Sequence, residues 1–364
     1  MKIAFIVNRF QKGHGIAEYV NGLLTDLSKR HDCDVLTAYS DFAGTPYTVR
    51  VLPFAHRPLL PRALVPPDFL TPMRVTDLPK YDIVVANFPT SGSAKTGIAL
   101  KKSQDIPLVI IDHGIAPPSH FHGAGVKVGH WSELRRRRHY LTKADSVFAI
   151  SKFIAGEIEA LGVKPVVIYE GIDVASLQKK HRTGVMDSIG ARKKSYVIFT
   201  GRLSRHKGIH LVAEALKKAD PKMRLVAVGG HPLESYKKDI ERHGNVIMTG
   251  YLKNEERNEL LQNALFYATG SQWEGLNLTI LEAEACGLPV VAFDIGAHKE
   301  IVGKGCGFVV KSVEEFSERM KLLLTNPDLT KKMGANAKRF IKRFEWATIA
   351  TGTEKELKKI IATR

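Results

Sequence analysis

Two carboxylates, Glu274 and Glu282, stand eight residues apart in the stretch WEGLNLTILEAEACGLPVVAF, Trp273 to Phe293. Gly275 makes Glu274 a loop or capping residue, and the pattern predicts a helix over Leu276–Cys286. Eight residues at helical rise are roughly 12 Å. Paired carboxylates of glycoside hydrolases sit closer, at roughly 5–9.5 Å. The two acids therefore suit opposite ends of one long ligand better than one scissile bond. The N–H groups near Leu276 and Asn277 would face an anion between them. An amphipathic helix with one capping and one exposed glutamate fits the same spacing.

A second cluster is Gly201-Arg202-Leu203-Ser204-Arg205-His206-Lys207-Gly208, placed between an apolar strand and a helix. Arg202 offers a planar fork to phosphate oxygens and Lys207 a point charge, the pair that a departing diphosphate needs. A basic surface loop is the plain alternative. Gly13 and Gly15 precede the first helix, where glycine lets backbone N–H groups approach a phosphate. They do not form GxGxxG, and no acidic residue ends the second strand as a dinucleotide site would require, so a plain turn fits them equally well. Gly229-Gly230 is a similar turn after a strand. Asp112-His113-Gly114 ends another strand, where a histidine is well placed for a ligand, although lone histidines are commonly structural.

These groups need strands and helices to aim them. Strands are predicted at Lys2–Asn8, Asp34–Ala38, Val49–Pro53, Ile83–Asn87, Leu108–Asp112 and Ser146–Ile150. A second series follows at Tyr196–Thr200, Arg224–Val228, Val246–Thr249, Phe266–Ala268, Val290–Phe293 and Gly307–Val310. Continuous apolar runs such as IVVA and LVIID suit parallel strands covered on both faces. Helices fit Ile16–Arg30, Gly92–Gln104, His130–Lys143 and Lys152–Leu161, and others fall between the later strands. Two successive βαβ runs imply an α/β chain of two doubly wound, Rossmann-like domains. The domain boundary is expected within Glu170–Lys194, where Gln178–Lys194 is polar and has no apolar period, and Glu345–Thr363 reads as a final helix.

The 364 residues are many for a single core, and 44% apolar with 25% charged residues is ordinary for a globular enzyme. No apolar run reaches the length of a membrane span, and the short N-terminal apolar run reads as a buried strand rather than a signal peptide. Cys33, Cys286 and Cys306 make no CxxC pair, which suits a reducing cytoplasm and no zinc site. Asp32-Cys33-Asp34 matches D-x-D but starts a strand, and His120 with His122 lacks further ligands, so no metal is expected.

The net charge of +17 is uneven, with 14 basic against six acidic residues in 42–143. Such a surface attracts anionic lipid or a phosphorylated substrate. Leu52–Leu78 mixes proline, leucine and arginine, including Arg57, Arg62 and Arg74; it reads as a packed loop or as an amphipathic piece at headgroups. Arg135, Arg136, Arg137 and Arg138 follow one another on a helix, where successive residues turn about 100° and cannot share one face.

The block Glu274–Ala292 resembles the EGxxLxxLEAxAxGxPVVA signature of retaining glycosyltransferases of family 4, and Gly201–Gly208 resembles that family's GRLxxxKG element. The resemblance implies a GT-B fold: an N-terminal acceptor domain (1–172, with a crossing-back helix 345–364) and a C-terminal donor domain (173–344) facing across a cleft. It implies transfer from a nucleoside-diphosphate sugar, a co-substrate, with no cofactor and no metal. Arg202 and Lys207 would bind the diphosphate, Glu282 the ribose, and Glu274 and His113 the sugar. Gly275, Leu276, Asn277, Gly13, Gly15, Gly229 and Gly230 would line the donor site. The acceptor would be a glycan or a lipid-linked molecule at the inner face of the membrane. Arg57, Arg62 and Arg135–Arg138 would face it or an anionic membrane surface. A phosphorylase or hydrolase on the same fold is the near rival, and a basic nucleotide- or nucleic-acid-binding Rossmann protein the distant one; nucleic acid is not an expected partner. Glu170-Gly171-Ile172-Asp173 departs from the family's Asn-Gly-Val-Asp, which puts the local hinge geometry in question.

Overall fold

A computed structural model describes residues 1–55, 71–117 and 124–363, and the chain divides into two compact units. Unit 1 comprises Met1–Gly171 with Trp346–Arg364, and unit 2 comprises Ile172–Glu345.

In unit 1 the strands are β1 (Lys2–Ile6), β2 (Arg9–Phe10), β3 (Asp32–Thr37), β4 (Tyr39–Ser40), β5 (Thr48–Val51), β6 (Ile83–Asn87), β7 (Leu108–Asp112), β8 (Ser146–Ala149) and β9 (Val166–Val167). Seven form one sheet in the order β5-β3-β1-β6-β7-β8-β9, while β2 pairs with β4. The ladders are parallel throughout. Every residue of β6 and β7 is buried, as strands covered on both faces require. Helices α1 (Gly15–Leu27), α2 (Gly92–Gln104), α3 (Ala124–Leu141) and α4 (Lys152–Glu159) connect them. Helix α1 buries Ala17, Tyr19, Val20, Leu23, Leu24 and Leu27, one face at helical spacing.

Unit 2 opens with α5 (Val174–Gln178) and α6 (Val185–Ser188). Its strands are β10 (Tyr196–Thr200), β11 (Arg224–Val228), β12 (Val246–Gly250), β13 (Tyr267–Thr269), β14 (Val290–Phe293) and β15 (Gly307–Val310). They form a parallel sheet in the order β12-β11-β10-β13-β14-β15. Its helices are α7 (Ile209–Ala219), α8 (Glu234–Glu241), α9 (Asn254–Asn263), α10 (Leu278–Ala285), α11 (His298–Ile301), α12 (Val313–Thr325) and α13 (Pro327–Phe340). The strand order reverses between β10 and β13, the switch point where loops diverge and leave a crevice at the carboxyl ends.

The last helix, α14 (Trp346–Ala362), crosses back to unit 1 and packs along α1. Trp346 occupies space that two glycines leave open. A Cβ on Gly22 or Gly171 would lie 2.2 or 2.5 Å from its ring. Arg30 and His31 reach Glu354 of α14 at 2.7 and 3.1 Å.

Several element ends differ from the sequence prediction. Strand β3 starts at Asp32, two residues early, because Asp32 sits opposite Lys2 and pairs with its ammonium at 2.8 Å. Helix α1 ends at Leu27, the last residue of its buried face. Helix α3 starts at Ala124 instead of His130, and α10 at Leu278 instead of Leu276. Asp34, of the D-x-D match, is buried and accepts from Arg50 and the Tyr81 hydroxyl at 2.5 and 2.7 Å.

Candidate functional site

The loop after β10 and the loop after β13 flank the switch point of unit 2, and their backbones touch. Gly208 has φ +63, and a Cβ there would lie 2.0 Å from the Gly270 carbonyl oxygen. A Cβ on Gly270 would meet the Gly208 oxygen at 2.3 Å. Only glycine fits either side of this contact. It brings the basic 3-10 turn Arg205–Lys207 against the segment that carries Glu274. Gln272 N–H donating to the His206 carbonyl at 2.8 Å ties the loops further.

The outcome is an ion pair. Lys207 Nζ lies 2.5 Å from Glu274 Oε1, and the Ser271 hydroxyl donates to the same oxygen at 2.8 Å. The two side chains are only 17% and 12% exposed, so the pair is poorly screened. Lys207 is therefore no free cation awaiting a phosphate; it arrives paired with the acid that would meet the sugar. Arg202 is exposed and has no acidic partner among the described residues. Arg205 pairs instead with Asp239 and stacks on Tyr236.

Asn277 adopts a left-handed conformation at φ 81 and caps α10 without a side-chain hydrogen bond to it. The helix starts late for this reason. Its amide is turned inward: Nδ2 donates to His298 Nε2 at 3.0 Å, and Oδ1 accepts from the Thr279 hydroxyl at 2.7 Å. His298 Nδ1 donates to the Phe293 carbonyl at 2.8 Å, and burial lowers its pKa, so the ring is neutral with its proton on Nδ1. The Asn277 amide serves this network, and its backbone N–H is the group expected to face a ligand. The Leu276 side chain is buried too, which leaves only its backbone for a ligand. The Tyr267 hydroxyl bonds Thr279 at 2.6 Å; burial raises the phenol's pKa, and the charges of Glu274 and Glu282 raise it further.

Glu282 lies one turn further along α10. Oε1 sits 3.3 Å from Arg257 of α9, and Oε2 is buried with no hydrogen-bond partner. Burial raises its pKa, against the pull of Arg257. An orphaned carboxylate oxygen of this kind is suited to take a hydroxyl donor. Gly229 has a packing reason to be glycine, because a Cβ there would lie 1.9 Å from the Gly201 oxygen. Gly230 has nothing within 4 Å of a Cβ position and is the open residue of that turn.

In unit 1, Gly13 takes φ +80 and donates to Glu18 Oε1 at 2.8 Å, while Gly15 opens α1 with no neighbour within 4 Å of its Cβ position. His113 follows β7. Its Nδ1 is 2.9 Å from Glu170 Oε1 and its Nε2 is 3.3 Å from Asn87 Oδ1. Asn87 Nδ2 donates to the Ile6 carbonyl at 3.3 Å, which turns Oδ1 towards the ring. Both ring nitrogens are therefore engaged.

Two family models match successive parts of the chain: Glycosyltransferase Family 4 over residues 13–176 and Glycosyl transferases group 1 over residues 186–340. An alpha-maltose-1-phosphate synthase of Mycolicibacterium smegmatis is 29% identical over 291 residues, 71% of this chain and 74% of that one. An uncharacterized glycosyltransferase of Methanocaldococcus jannaschii is 25% identical over 224 residues, 59% of each chain. Among solved structures, Anabaena HepE in complex with UDP and glucose matches with a TM-score of 0.76 at 22% identity, over 99% of this chain and 100% of that one. The chain belongs to the family 4 glycosyltransferases, with the GT-B fold. The match spans about three fifths of the length of several curated relatives.

Within this family the present chain has its own features. Glu170, which stands where an asparagine is usual, is buried and reaches His113; its difference bears on that histidine more than on a hinge. Arg137, expected with its three neighbours to face an acceptor or a membrane, is the one of the four that points inward. It is 2% exposed and bonds Asp112 at 2.6 Å and Glu157 at 3.0 Å, so it anchors the helix inward and cannot meet a membrane or an acceptor. Arg135 and Arg138 are exposed, with Arg138 Nε donating to the Leu161 carbonyl at 3.2 Å, and Arg136 is half-buried. Arg57, Arg62, His120 and His122 lie outside the described residues. Arg257 and His298 escaped the sequence reading; neither stands in a motif, and only the folded chain brings them to Glu282 and Asn277.

Proposed function

We propose that this glycosyltransferase moves a sugar from a UDP-sugar to an acceptor hydroxyl, with retention at the anomeric carbon and without a metal ion. The observation that carries the reading is the pairing, at one switch point, of Lys207 and Glu274 from two loops, followed along α10 by a carboxylate with an unsatisfied oxygen. A diphosphate would take up Lys207 and Arg202 together with the uncapped first turn of α10, and ribose hydroxyls would donate to Glu282. The structures of HepE with UDP and with UDP-glucose support the choice of nucleotide.

In the proposed step the bond from the sugar C1 to the diphosphate oxygen breaks and a bond from C1 to the acceptor oxygen forms. The acceptor hydroxyl proton passes to the departing phosphate. Negative charge grows on that phosphate in the transition state. Cations and N–H dipoles already in place stabilise it more than the ground state, and that difference is the catalytic effect. His113, held by Glu170 through Nδ1, would hydrogen-bond the sugar through Nε2 in exchange for its 3.3 Å contact with Asn87. Glu274 meets the sugar hydroxyls once the diphosphate competes for Lys207.

The acceptor is proposed to be a glycan or a lipid-linked molecule at the cytoplasmic membrane face, approached through exposed arginines such as Arg135 and Arg138. No helix among the described residues is long and apolar enough to cross a membrane. The test is product analysis with radiolabelled UDP-sugars, with and without lipid acceptor. Sugar appearing on the acceptor supports transfer, and an undiminished rate in EDTA supports metal independence. Free sugar alone, released equally without acceptor, would establish a hydrolase and remove the proposal.

A further inference from the structure

Unit 2 contains a cavity that the donor reading does not use. Its volume is about 530 Å³, and Lys180, His181, Arg182, Lys193, Lys338 and Glu259 are among the residues that line it. Cys286, also on its wall, is the C-cap of α10, whose opposite end is Asn277. Eight helical residues separate the two ends by roughly 12 Å. None of Arg202, Lys207, Glu274 or Glu282 lines the cavity.

The charge around it is one-sided. Lys180, Arg182, Lys193 and Lys338 have no acidic partner among the described residues. The one carboxylate, Glu259, already accepts from both the N–H and the hydroxyl of Thr183. His181 Nε2 is buried and without a hydrogen-bond partner. Close by, the Lys194 pKa is lowered, first by burial and then by Lys193 and Lys338, which registers the same positive field. A plain explanation would have the cations serve the carbonyl ends of α9 and α10. One carbonyl at each end already has another donor: Lys194 Nζ donates to Ala264 at 2.5 Å, and Gln178 Nε2 to Ala285 at 3.1 Å. The Lys338 stem lies over Gly287, where a Cβ would come 2.5 Å from its Cε.

Four unneutralised cations around one space repel each other, and folding tolerates that cost most readily where a ligand cancels it. A cavity of this size falls in the roughly 300–1,000 Å³ range of small-molecule sites. We propose that this cavity is a second anion site, taking a small soluble molecule with two or more phosphate groups, distinct from the donor diphosphate. Lys193 and Lys338 grip the phosphates from two sides, and His181 supplies a hydrogen bond. The site stands or falls independently of the donor reading.

Calorimetric titration with inorganic pyrophosphate at low salt tests this on three proteins: the unaltered chain, Lys207→Ala, and Lys193→Ala with Lys338→Ala. Both altered lysines of the double variant are exposed, and circular dichroism checks that the fold is kept. Lys207→Ala should retain the site, while the double variant should lose one equivalent of bound pyrophosphate and keep only the donor-loop binding. Lys193→Arg with Lys338→Arg should restore most of the affinity. Absence of binding in Lys207→Ala would assign all pyrophosphate binding to the donor loop and overturn the proposal. Unchanged stoichiometry in the double variant would overturn it as well. A phosphatidylcholine vesicle arm containing phosphatidic acid separates the sources. Sedimentation with vesicles that needs Lys193 and Lys338, and that pyrophosphate does not compete away, would make the ligand a lipid headgroup and overturn the soluble assignment.

Discussion

Replacing Lys207 by alanine should damage stability and chemistry by separate routes. The ammonium is paired with Glu274, and both side chains are more than four-fifths buried. Exposed pairs contribute roughly 0–1 kcal/mol, while removing one partner of a fully buried pair costs roughly 3–5 kcal/mol. Residual exposure, together with the Ser271 hydroxyl on Glu274, places Lys207→Ala between these, on the order of 2 kcal/mol. For a unit of this size that lowers Tm by about 4–8 °C. Lys207→Ala with Glu274→Gln removes the stranded charge and should recover most of the loss. Turnover should fall on the order of 10²–10³-fold in the single variant and stay low in the double, because the diphosphate still lacks its cation. Differential scanning calorimetry and sugar-transfer assays on the four proteins of the cycle measure both effects. A Lys207→Ala melt matching the unaltered protein would refute the buried-pair argument. Recovered turnover in the double variant would refute the phosphate role.

Glu282→Ala should weaken UDP by 10- to 100-fold, the equivalent of roughly 1.5–3 kcal/mol for a hydrogen bond to a charged group. The loss should shrink for 2′-deoxy-UDP, and identical losses for the two nucleotides would end the ribose assignment. Glu284 is fully buried; Oε1 accepts from Gly303 N–H at 3.2 Å and Oε2 has no partner, so burial raises its pKa well above the usual carboxyl value. The folded state therefore holds this proton more tightly than the unfolded chain does. The stabilisation is complete below the unfolded pKa and is lost as pH rises through the raised folded value. Urea midpoints should fall between pH 5 and pH 8 in the unaltered protein and less so in Glu284→Gln; parallel curves would contradict this. Gly208→Ala should cost at least about 2 kcal/mol, from its left-handed conformation plus overlap with the Gly270 carbonyl. Chemical denaturation reads that cost, and a neutral result would mean the two loops do not touch.

What sequence alone could show depended on how local the cause was. Strands β6, β7, β10, β11 and β14 have the bounds their apolar runs predict, because burial on both faces writes itself into consecutive residues, and the edge strand β15 keeps its predicted bounds too. The loops holding Arg202, Lys207 and Glu274 were legible for a related reason: glycine and charge stand together where strands end. The late start of α10 was not, since a left-handed Asn277 depends on His298, twenty-one residues away. Periodicity showed that four successive arginines cannot share a face, yet only the buried Asp112 decides that Arg137 is the one turned inward. The Arg257–Glu282 and His113–Glu170 contacts join residues from separate elements, and no spacing rule announces them.

The indole of Trp346 fills a notch formed by Gly22 and Gly171, yet it is made some 175 residues after the second of them. During synthesis α1 is made long before the helix that packs along it. Until that helix is made, the face of α1 that it covers stays open to water.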